Sequence, residues 1–522
     1  MKSAEILFHN TVSHQQHTPR PKTRIGLFIL VMLIASYGYF IHRGPQWNAD
    51  TRLDLTFALV DQHSITIDSY QENTEDKSFH NGHYYTDKAI GSSLLAVPFY
   101  SLFRQGLFSS LPPEAYFLIR YMLTFFVVSI PSAIFGMLFY TFLTDFLHRR
   151  KRRESRDAIQ TSRVVMDNNL NQQTSPVEFT DGLCLLVALG FSLGTIAFPY
   201  STVFFGHQLA AIMLFSSFVL LFNAQQKMEH TGHYSLRSIL LAGFFAGFAS
   251  LTEYPSFIGL LFLGIYAALS FIQHQQSIYS NVLRNGGAFL LGAVPPVLVI
   301  LGYNYAAFGN PLSQGYANLG GSPEFITGMS QGIMGITHPT ISALWGITFS
   351  SYRGLFFLSP FLVLALPGMW FAYRAGWRSE ILVFVAISIG FLTMNASYQF
   401  WDGGYSLGPR HIIPSLPFLT APVVFAAAKW PRLTTVAVIW SILVIGTATV
   451  TNPLPSPAYS NPLFDLSVPS LLLGKLNNNW GMVVGFKGLL TLIPLALVFV
   501  LVLPFLLVDL HSRAEEMRLR AV

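Results

Sequence analysis

Long apolar segments recur along this chain from near residue 25 to near residue 508, and polar segments separate them. A helix needs about 20 mostly apolar residues to cross a hydrocarbon core of roughly 30 Å. The pattern therefore predicts an all-α integral membrane protein with about twelve transmembrane helices. The predicted spans are about 25–41, 114–147, 180–198, 208–223, 238–252, 256–273, 285–303, 357–373, 380–396, 412–428, 433–450 and 486–508.

The composition agrees with this pattern. Of 522 residues, 52% are hydrophobic and only 11% are charged, which is too little polar surface for an ordinary soluble protein. The net charge of +6 indicates cytoplasmic loops that face anionic lipid, and no nucleic-acid partner is expected. The single cysteine, Cys184, lies in an apolar segment, so an internal disulfide and a cysteine-built metal site are excluded.

The positions of Lys and Arg orient the predicted spans. The basic segment 148–153 is expected to face the cytoplasm, as are the two basic ends of the chain. If every apolar stretch before that segment crossed the membrane, the segment would lie outside. The stretch 89–108, which Pro98 interrupts, is therefore predicted to be an interfacial or re-entrant helix. The predicted domains are a cytoplasmic tail (1–24), a transmembrane domain (25–508) and a second cytoplasmic tail (509–522).

This topology leaves unequal loops on the two sides of the membrane. The predicted extracytoplasmic loops are about 42–113, 304–356, 397–411 and 451–485. The long cytoplasmic basic loop, about 148–179, has no apolar periodicity and is predicted to be disordered. The chain has no convincing internal repeat, which argues against a transporter built from inverted halves. Function is therefore expected on the extracytoplasmic face.

The first loop contains a predicted amphipathic helix over 47–61 that lies on the membrane. Asp50 stands near its start, where an aspartate can act as an N-cap. Held at the membrane surface, the same carboxylate can also take a proton from an incoming hydroxyl. Arg52 and Asp54 follow on the helix and could form a solvated face or belong to a site.

Later in this loop, Lys88 stands at the boundary between a polar segment and an apolar one. There its ammonium can snorkel toward lipid head groups or hold a phosphate, and Asp87 beside it could orient it. The preceding His83, Tyr84 and Tyr85 fit an interfacial aromatic belt equally well.

The short loop 397–411 contains Trp401, Asp402, Arg410 and His411 among glycines. Aromatic faces with hydrogen-bonding side chains suit a sugar ring, and the planar guanidinium of Arg410 suits phosphate. A tight turn in which Arg410 pairs with Asp402 is the structural alternative. Elsewhere, four more side chains are candidates that singly are more typical of structural residues: His207, Glu253, Tyr254 and Arg353.

These segments together resemble the GT-C membrane glycosyltransferases, in the branch of the bacterial aminoarabinose transferases of lipid A and the protein O-mannosyltransferases. The matching segments are Asp50-x-Arg52, Gly82-His83-Tyr84-Tyr85-Thr86-Asp87-Lys88, Tyr352-Arg353-Gly354, Trp401-Asp402-Gly403-Gly404 and Gly408-Pro409-Arg410. The resemblance implies that Asp50 is the catalytic base and that Lys88 binds donor phosphate. Arg410 and Arg52 are expected to assist in binding the phosphate. The family often has an acidic pair where this chain has Asp50 and Thr51, so the division of roles among Asp50, Asp54 and Asp87 stays open.

The function expected from the resemblance is transfer of a sugar from a polyprenyl-phosphate donor to an acceptor on the extracytoplasmic face of the cell membrane, with inversion. The phosphate leaves as an anion, so one carboxylate base and nearby cations suffice, whereas a glycosidase needs two carboxylates. No cofactor is expected, and the spacing of the three aspartates specifies no site for a divalent metal. The acceptor stays open among lipid, polysaccharide and protein. Residues expected to support the site or contact substrate are Asp54, His83, Tyr84, Tyr85, Asp87, Glu253, Tyr254, Arg353, Trp401, Asp402 and His411.

Two other functions use the same residues. A transporter or flippase of lipid-linked sugars would bind phosphate with the Lys and Arg side chains and carry protons on the carboxylates. A ligase or polymerase of lipid-linked oligosaccharides would share the transfer chemistry. Ionisable residues in mid-membrane positions would favour the transporter, and in this sequence the charges cluster near the predicted extracytoplasmic boundary.

Overall fold

A computed structural model describes residues 21–44, 46–106, 116–162, 180–273 and 278–519. Helix accounts for 74% of the structure and strands are almost absent, which confirms the all-α class. Residues 1–20, 45, 107–115, 163–179, 274–277 and 520–522 lie outside the described residues, and with them parts of the predicted tails and loops.

The α-helices are numbered here in chain order. In the first half of the chain they are α1 (Pro21–Tyr37), α2 (Trp47–Asp61), α3 (Gly91–Gln105), α4 (Tyr116–Thr124), α5 (Ile130–Ser162), α6 (Thr180–Gly194), α7 (Ala197–Tyr200), α8 (Gly206–Thr231), α9 (Leu236–Thr252) and α10 (Phe257–Gln273). In the second half they are α11 (Ile278–Phe308), α12 (Pro323–Met329), α13 (Ile341–Thr348), α14 (Leu355–Leu358), α15 (Ala365–Arg374), α16 (Arg378–Ser397), α17 (Leu416–Thr420), α18 (Val423–Lys429), α19 (Pro431–Thr451), α20 (Val468–Leu472), α21 (Trp480–Val483) and α22 (Ile493–Leu519).

Within the described part of the chain, seven helical segments are long and apolar enough to cross a membrane. They are Tyr116–Leu147, Gly206–Thr231, Tyr254–Ile272, Val282–Phe308, Arg378–Ser397, Pro431–Thr451 and Gly488–Glu515. An eighth span results if the bent pair Arg410–Thr420 and Val423–Lys429 is counted as one. These helices indicate a membrane-embedded protein, but the predicted count of twelve spans is not confirmed.

The structure differs from the predicted spans and loops in two places. The predicted span 357–373 is broken into α14, a 3-10 turn and α15, and the 3-10 turn begins at Pro360, which has no backbone N–H to continue the helix before it. The predicted disordered loop from residue 148 is helical as far as Ser162, because α5 continues through the basic segment.

Helix α2 is confirmed, but its environment differs from the prediction. All residues from Asn48 to Ala58 are buried, so α2 is a core helix and does not lie on a membrane surface. Helix α3 packs along it, and Thr56 Oγ1 donates a hydrogen bond to the Ser93 carbonyl. Polar side chains on α2 are therefore enclosed by protein, and each needs a partner there.

A hairpin connects α2 to α3, with strands β1 (Lys77–His80) and β2 (His83–Thr86). Asn81 and Gly82 between them both have positive φ, at 50° and 85°, as a two-residue hairpin turn requires. The outer edge of β1 pairs with the segment 318–320, where the Phe79 N–H donates to the Asn318 carbonyl over 2.7 Å. This pairing carries the segment 315–325 over the end of the hairpin, beside Lys88.

Aromatic side chains hold the centre of the bundle together. Phe215 of α8, Phe384 of α16 and Phe418 of α17 pack on one another, with ring centroids 5.1 to 6.3 Å apart. Such pairs prefer tilted or edge-to-face geometries, which restrict how the helices can shift. The packing holds the start of α8 beside the 3-10 turn Arg410–Ser415.

Candidate functional site

Helix α2 carries two buried polar clusters on opposite sides. Residues two positions apart on a helix point roughly 200° apart. Asp50 accordingly faces α4, and Arg52 faces α3 and α9. The sequence prediction placed both residues in one site, and the structure separates them.

The Asp50 carboxylate is enclosed by donors. Its Oδ1 accepts from Arg120 Nη1 over 2.9 Å and from the Tyr116 hydroxyl over 3.3 Å. Its Oδ2 accepts from the Gln46 backbone N–H over 2.7 Å, so Asp50 ties down the start of α2 from within the first turn. Both side chains of the Asp50–Arg120 pair are nearly inaccessible. These three donors occupy most of the acceptor sites of the carboxylate, which restricts its access to a further proton.

Burial raises the pKa of the Asp50 carboxyl, and Arg120 offsets part of the rise. Burial also raises the pKa of Asp54 well above its usual range; a hydrogen bond from Asn73 lowers it and the charge of Asp50 raises it further. Among the residues described, Asp54 Oδ2 has no hydrogen-bond partner. Of the two carboxyl groups of Asp50 and Asp54, that of Asp54 therefore more readily carries a proton.

Arg52 joins three helices instead of presenting its charge to a ligand. It forms a 2.6 Å ion pair with Glu253 and donates to the carbonyls of Ala89 and Thr252. Its side chain is 1% exposed. Burial raises the pKa of the Glu253 carboxyl, and Arg52 counters that rise. The predicted phosphate-binding role of Arg52 stays a prediction, since every one of these contacts is to the protein itself.

The first residue of α8 is Gly206, and it lies directly against the Arg52–Glu253 pair. A Cβ at this position would stand 2.5 Å from Glu253 Oε1 and 2.6 Å from the Thr252 carbonyl. Only glycine allows so close an approach. The contact also brings His207 Nδ1 to 3.5 Å from Glu253 Oε1.

Lys88 lies within a cage of charges and rings. Its Nζ lies 2.7 Å from Asp87 Oδ2 and 3.1 Å from Asp76 Oδ2. The rings of Tyr316 and Phe325 lie 5.1 and 5.2 Å away. Burial alone would lower the pKa of Lys88, but the two carboxylates raise it above its ordinary value. Burial raises the pKa of Asp87 to about 6 in spite of the neighbouring ammonium.

Arg410 and His411 line the opposite side of the region around Lys88. The guanidinium of Arg410 lies 5.4 Å from the Phe205 ring, and no carboxylate of the described chain pairs with it. The His411 ring packs edge-on against His207 and Tyr398, with centroids 5.3 and 5.2 Å apart. We call this group the Lys88–Arg410 cluster; its members are Lys88, Asp76, Asp87, His207, Glu253, Tyr316, Phe325, Tyr398, Arg410 and His411.

The Lys88–Arg410 cluster has a buried floor and half-buried walls. Lys88, His207 and Glu253 are buried, whereas the aromatic rings and Arg410 are partly exposed. Several of its polar atoms have no hydrogen-bond partner among the described residues: Arg410 Nε, His411 Nε2, His207 Nε2 and Asp87 Oδ1. Buried polar atoms usually have partners, so these unpaired atoms are the candidates for contacts with a polar ligand.

The loop before Arg410 is held by side chains that the sequence also singled out. Arg353 is buried and donates to the carbonyls of Asp402 and Gly404. The Asp402 carboxylate accepts from the Tyr352 hydroxyl over 2.9 Å. The alternative in which Asp402 pairs with Arg410 is wrong: the two oxygens of the Asp402 carboxylate accept from the Tyr352 hydroxyl and the Gly404 N–H, and it forms no ion pair with Arg410. Trp401 packs against Gly346.

Three predicted residues belong to the hairpin and not to the Lys88–Arg410 cluster. His83 forms an exposed pair with Asp68 at 2.7 Å. Tyr84 packs on Phe79, and Tyr85 packs in a small core with Phe308. The predicted Tyr254 contacts the cluster through Tyr316, with ring centroids 6.2 Å apart.

The sequence reasoning missed Asp76, Tyr316 and Phe325, which reach Lys88 through pairings remote in sequence. One signal was available, since Asn81-Gly82 between short alternating segments is typical of a hairpin. In the described ranges, no group of three or more His, Cys, Asp or Glu side chains is placed to hold a metal ion. Comparisons with protein-family models, with curated proteins and with solved structures found no match to this chain.

Proposed function

We propose that this protein is a membrane glycosyltransferase that moves a sugar from a polyprenyl-phosphate donor to an acceptor on the extracytoplasmic face of the cell membrane. The observation that carries the proposal is the Arg410 guanidinium, which has no carboxylate partner among the described residues and which, like Lys88, lies close enough to Glu253 and Tyr398 to act on their pKa values. A planar guanidinium binds phosphate with two parallel hydrogen bonds, and an ammonium adds a point charge. The resemblance to GT-C enzymes supports the same donor.

In the proposed reaction, the acceptor oxygen forms a bond to the anomeric carbon while the bond from that carbon to the phosphate oxygen breaks. The electron pair leaves with the phosphate, and Arg410 and Lys88 stabilise its charge. The half-buried rings of Tyr316 and Tyr398 offer faces for the sugar. The acceptor proton goes to a base, which the resemblance assigns to Asp50; because Asp50 lies on the side of α2 away from the Lys88–Arg410 cluster, this assignment rests on the resemblance alone. A single displacement inverts the anomeric carbon.

The proposal includes the membrane topology: twelve crossings, both termini inside, and the Lys88–Arg410 cluster outside. The shorter apolar helices Thr23–Tyr37, Asp181–Gly194 and Leu236–Thr252 would supply three of the crossings beyond the longer ones. Cysteine labelling from each side of intact cells tests this arrangement. A cysteine placed at the exposed Glu75 is expected to react with an impermeant reagent from outside.

The experiment that tests the reaction uses the purified protein in lipid nanodiscs with a panel of polyprenyl-phosphate sugars and candidate acceptors. Mass spectrometry follows the release of free polyprenyl phosphate. Release by the wild type and its loss in Arg410→Gln are expected, because the leaving phosphate loses its guanidinium. Arg432→Gln removes the same charge from an exposed position at the start of α19 and serves as the control. Equal release by wild type and Arg410→Gln would contradict the proposed phosphate site.

Asp50→Asn belongs in the same experiment, because it tests the assigned base separately from the phosphate site. Loss of release at a temperature well below the variant's own unfolding midpoint is expected if Asp50 takes the proton. Unchanged release would remove Asp50 from that role and leave the phosphate site intact.

A further inference from the structure

Lys88 is paired in the structure with two carboxylates that differ in freedom. Asp87 precedes it in the chain, is completely buried and stands at 2.7 Å. Asp76 stands at 3.1 Å, and its side chain is 19% exposed. Asp76 lies on an irregular segment between the 3-10 turn Gln71–Asn73 and β1. Of the two, Asp76 is the carboxylate that can withdraw.

The Lys88 ammonium has three N–H groups, and other members of the Lys88–Arg410 cluster surround them. Two of them meet Asp76 and Asp87, and the rings of Tyr316 and Phe325 lie within about 5 Å of the nitrogen. A phosphate oxygen that approaches Lys88 from the solvent side therefore competes with the more exposed of its two carboxylate partners. The partly exposed Asp76 is the partner on the solvent side.

An exchange of Asp76 for a phosphate oxygen keeps the charge around Lys88 constant. One anionic oxygen leaves and another takes its position, so the buried ammonium is never without a counterion. A neutral sugar or a prenyl alcohol cannot make this exchange, since it brings no charge to replace the carboxylate. The arrangement thus favours anionic ligands over neutral ones of similar shape.

We propose that Asp76 occupies, in the free protein, the position on Lys88 that a phosphate oxygen of the ligand takes, and that Asp76 thereby sets the affinity of the site and its selectivity for anions. This inference rests on the proposed function in one respect, namely that the ligand carries phosphate. It follows that removing the carboxylate of Asp76 removes a competitor. Phosphate then binds more tightly, and the preference over neutral ligands grows.

The test measures binding of farnesyl phosphate, a short prenyl phosphate, to the detergent-purified full-length chain by isothermal titration calorimetry. Asp76→Asn is expected to bind it about tenfold more tightly than the wild type, as for loss of a competing, largely buried ion pair. Inorganic phosphate is expected to bind Asp76→Asn more tightly than the wild type by the same factor. Farnesol is expected to bind both proteins with equal affinity. Glu75→Gln is the matched control, because it neutralises the exposed neighbour, which has no contact with Lys88.

Unchanged or weaker binding in Asp76→Asn, with the wild-type unfolding midpoint, overturns the inference, because the carboxylate would then orient Lys88 instead of competing for it. Asp76→Ala repeats the measurement with a side chain that cannot contact Lys88. Absence of binding in the wild type and in both variants also overturns it. Tighter binding by Asp76→Asn without turnover of any sugar donor supports the inference while the proposed function fails.

Discussion

Asp50, the predicted base, forms a buried ion pair with Arg120, and variants of this pair distinguish a structural role of Asp50 from a catalytic one. Asp50 Oδ1 and Arg120 Nη1 are 2.9 Å apart, and the two side chains are 3% and 4% exposed. Removing one partner of such a buried pair costs about 3–5 kcal/mol, because the other charge is left uncompensated. In Asp50→Asn, Arg120 keeps only the carbonyls of His42 and Gly44 and a weaker amide oxygen. The amide nitrogen would also face the Gln46 N–H, which is a donor.

We therefore expect Asp50→Asn to lower the midpoint of thermal unfolding in nanodiscs, measured by intrinsic fluorescence. The double variant Asp50→Leu with Arg120→Met replaces the pair by apolar side chains, and such replacements are often neutral or stabilising. The double variant should regain most of the lost stability. A wild-type midpoint in Asp50→Asn, combined with loss of donor turnover, would refute the ion-pair reasoning and favour the base that the resemblance implies.

Three further predictions concern Arg52, Asp87 and Gly206, which belong to the Lys88–Arg410 cluster or contact its member Glu253. Arg52→Lys should lower the unfolding midpoint, because an ammonium cannot replace the guanidinium between Glu253 and two carbonyls. The affinity for farnesyl phosphate should stay unchanged. Weakened affinity at a wild-type midpoint would contradict this prediction. Asp87 has a folded-state pKa raised to about 6, so its contribution to stability is present at acidic pH and lost as pH rises through about 6. The unfolding midpoint of the wild type relative to Asp87→Asn should therefore be higher at pH 5 than at pH 7, and a constant difference would count against it. Gly206→Ala should destabilise by about 1–3 kcal/mol through its contacts with Glu253, whereas Gly286→Ala, which meets nothing within 4 Å, should not.

Sequence reasoning identified individual segments well where the signal is local. Helices α2 and α3 follow from apolar periodicity and from the charged residues around them, and both are confirmed. The prediction of the surroundings of α2 was wrong, because its polar residues suggested contact with water or lipid head groups. Asp50 and Arg52, on opposite sides of α2, are instead paired with Arg120 and Glu253, which are too distant in sequence for the pairing to be recognised. A polar residue in a membrane protein is thus evidence of a partner before it is evidence of exposure.

The Lys88–Arg410 cluster shows why the site could be predicted only in part. Lys88 and Arg410 were selected because a cation at the end of an apolar segment needs a partner or a ligand. Lys88 proves to have two carboxylate partners, and Arg410 has none among the described residues. The sequence holds no local sign of this difference, since each cation has an aspartate nearby in the chain. What distinguishes the two cations is their surroundings in the fold: Asp402 accepts a hydrogen bond from the Tyr352 hydroxyl and forms no ion pair with Arg410.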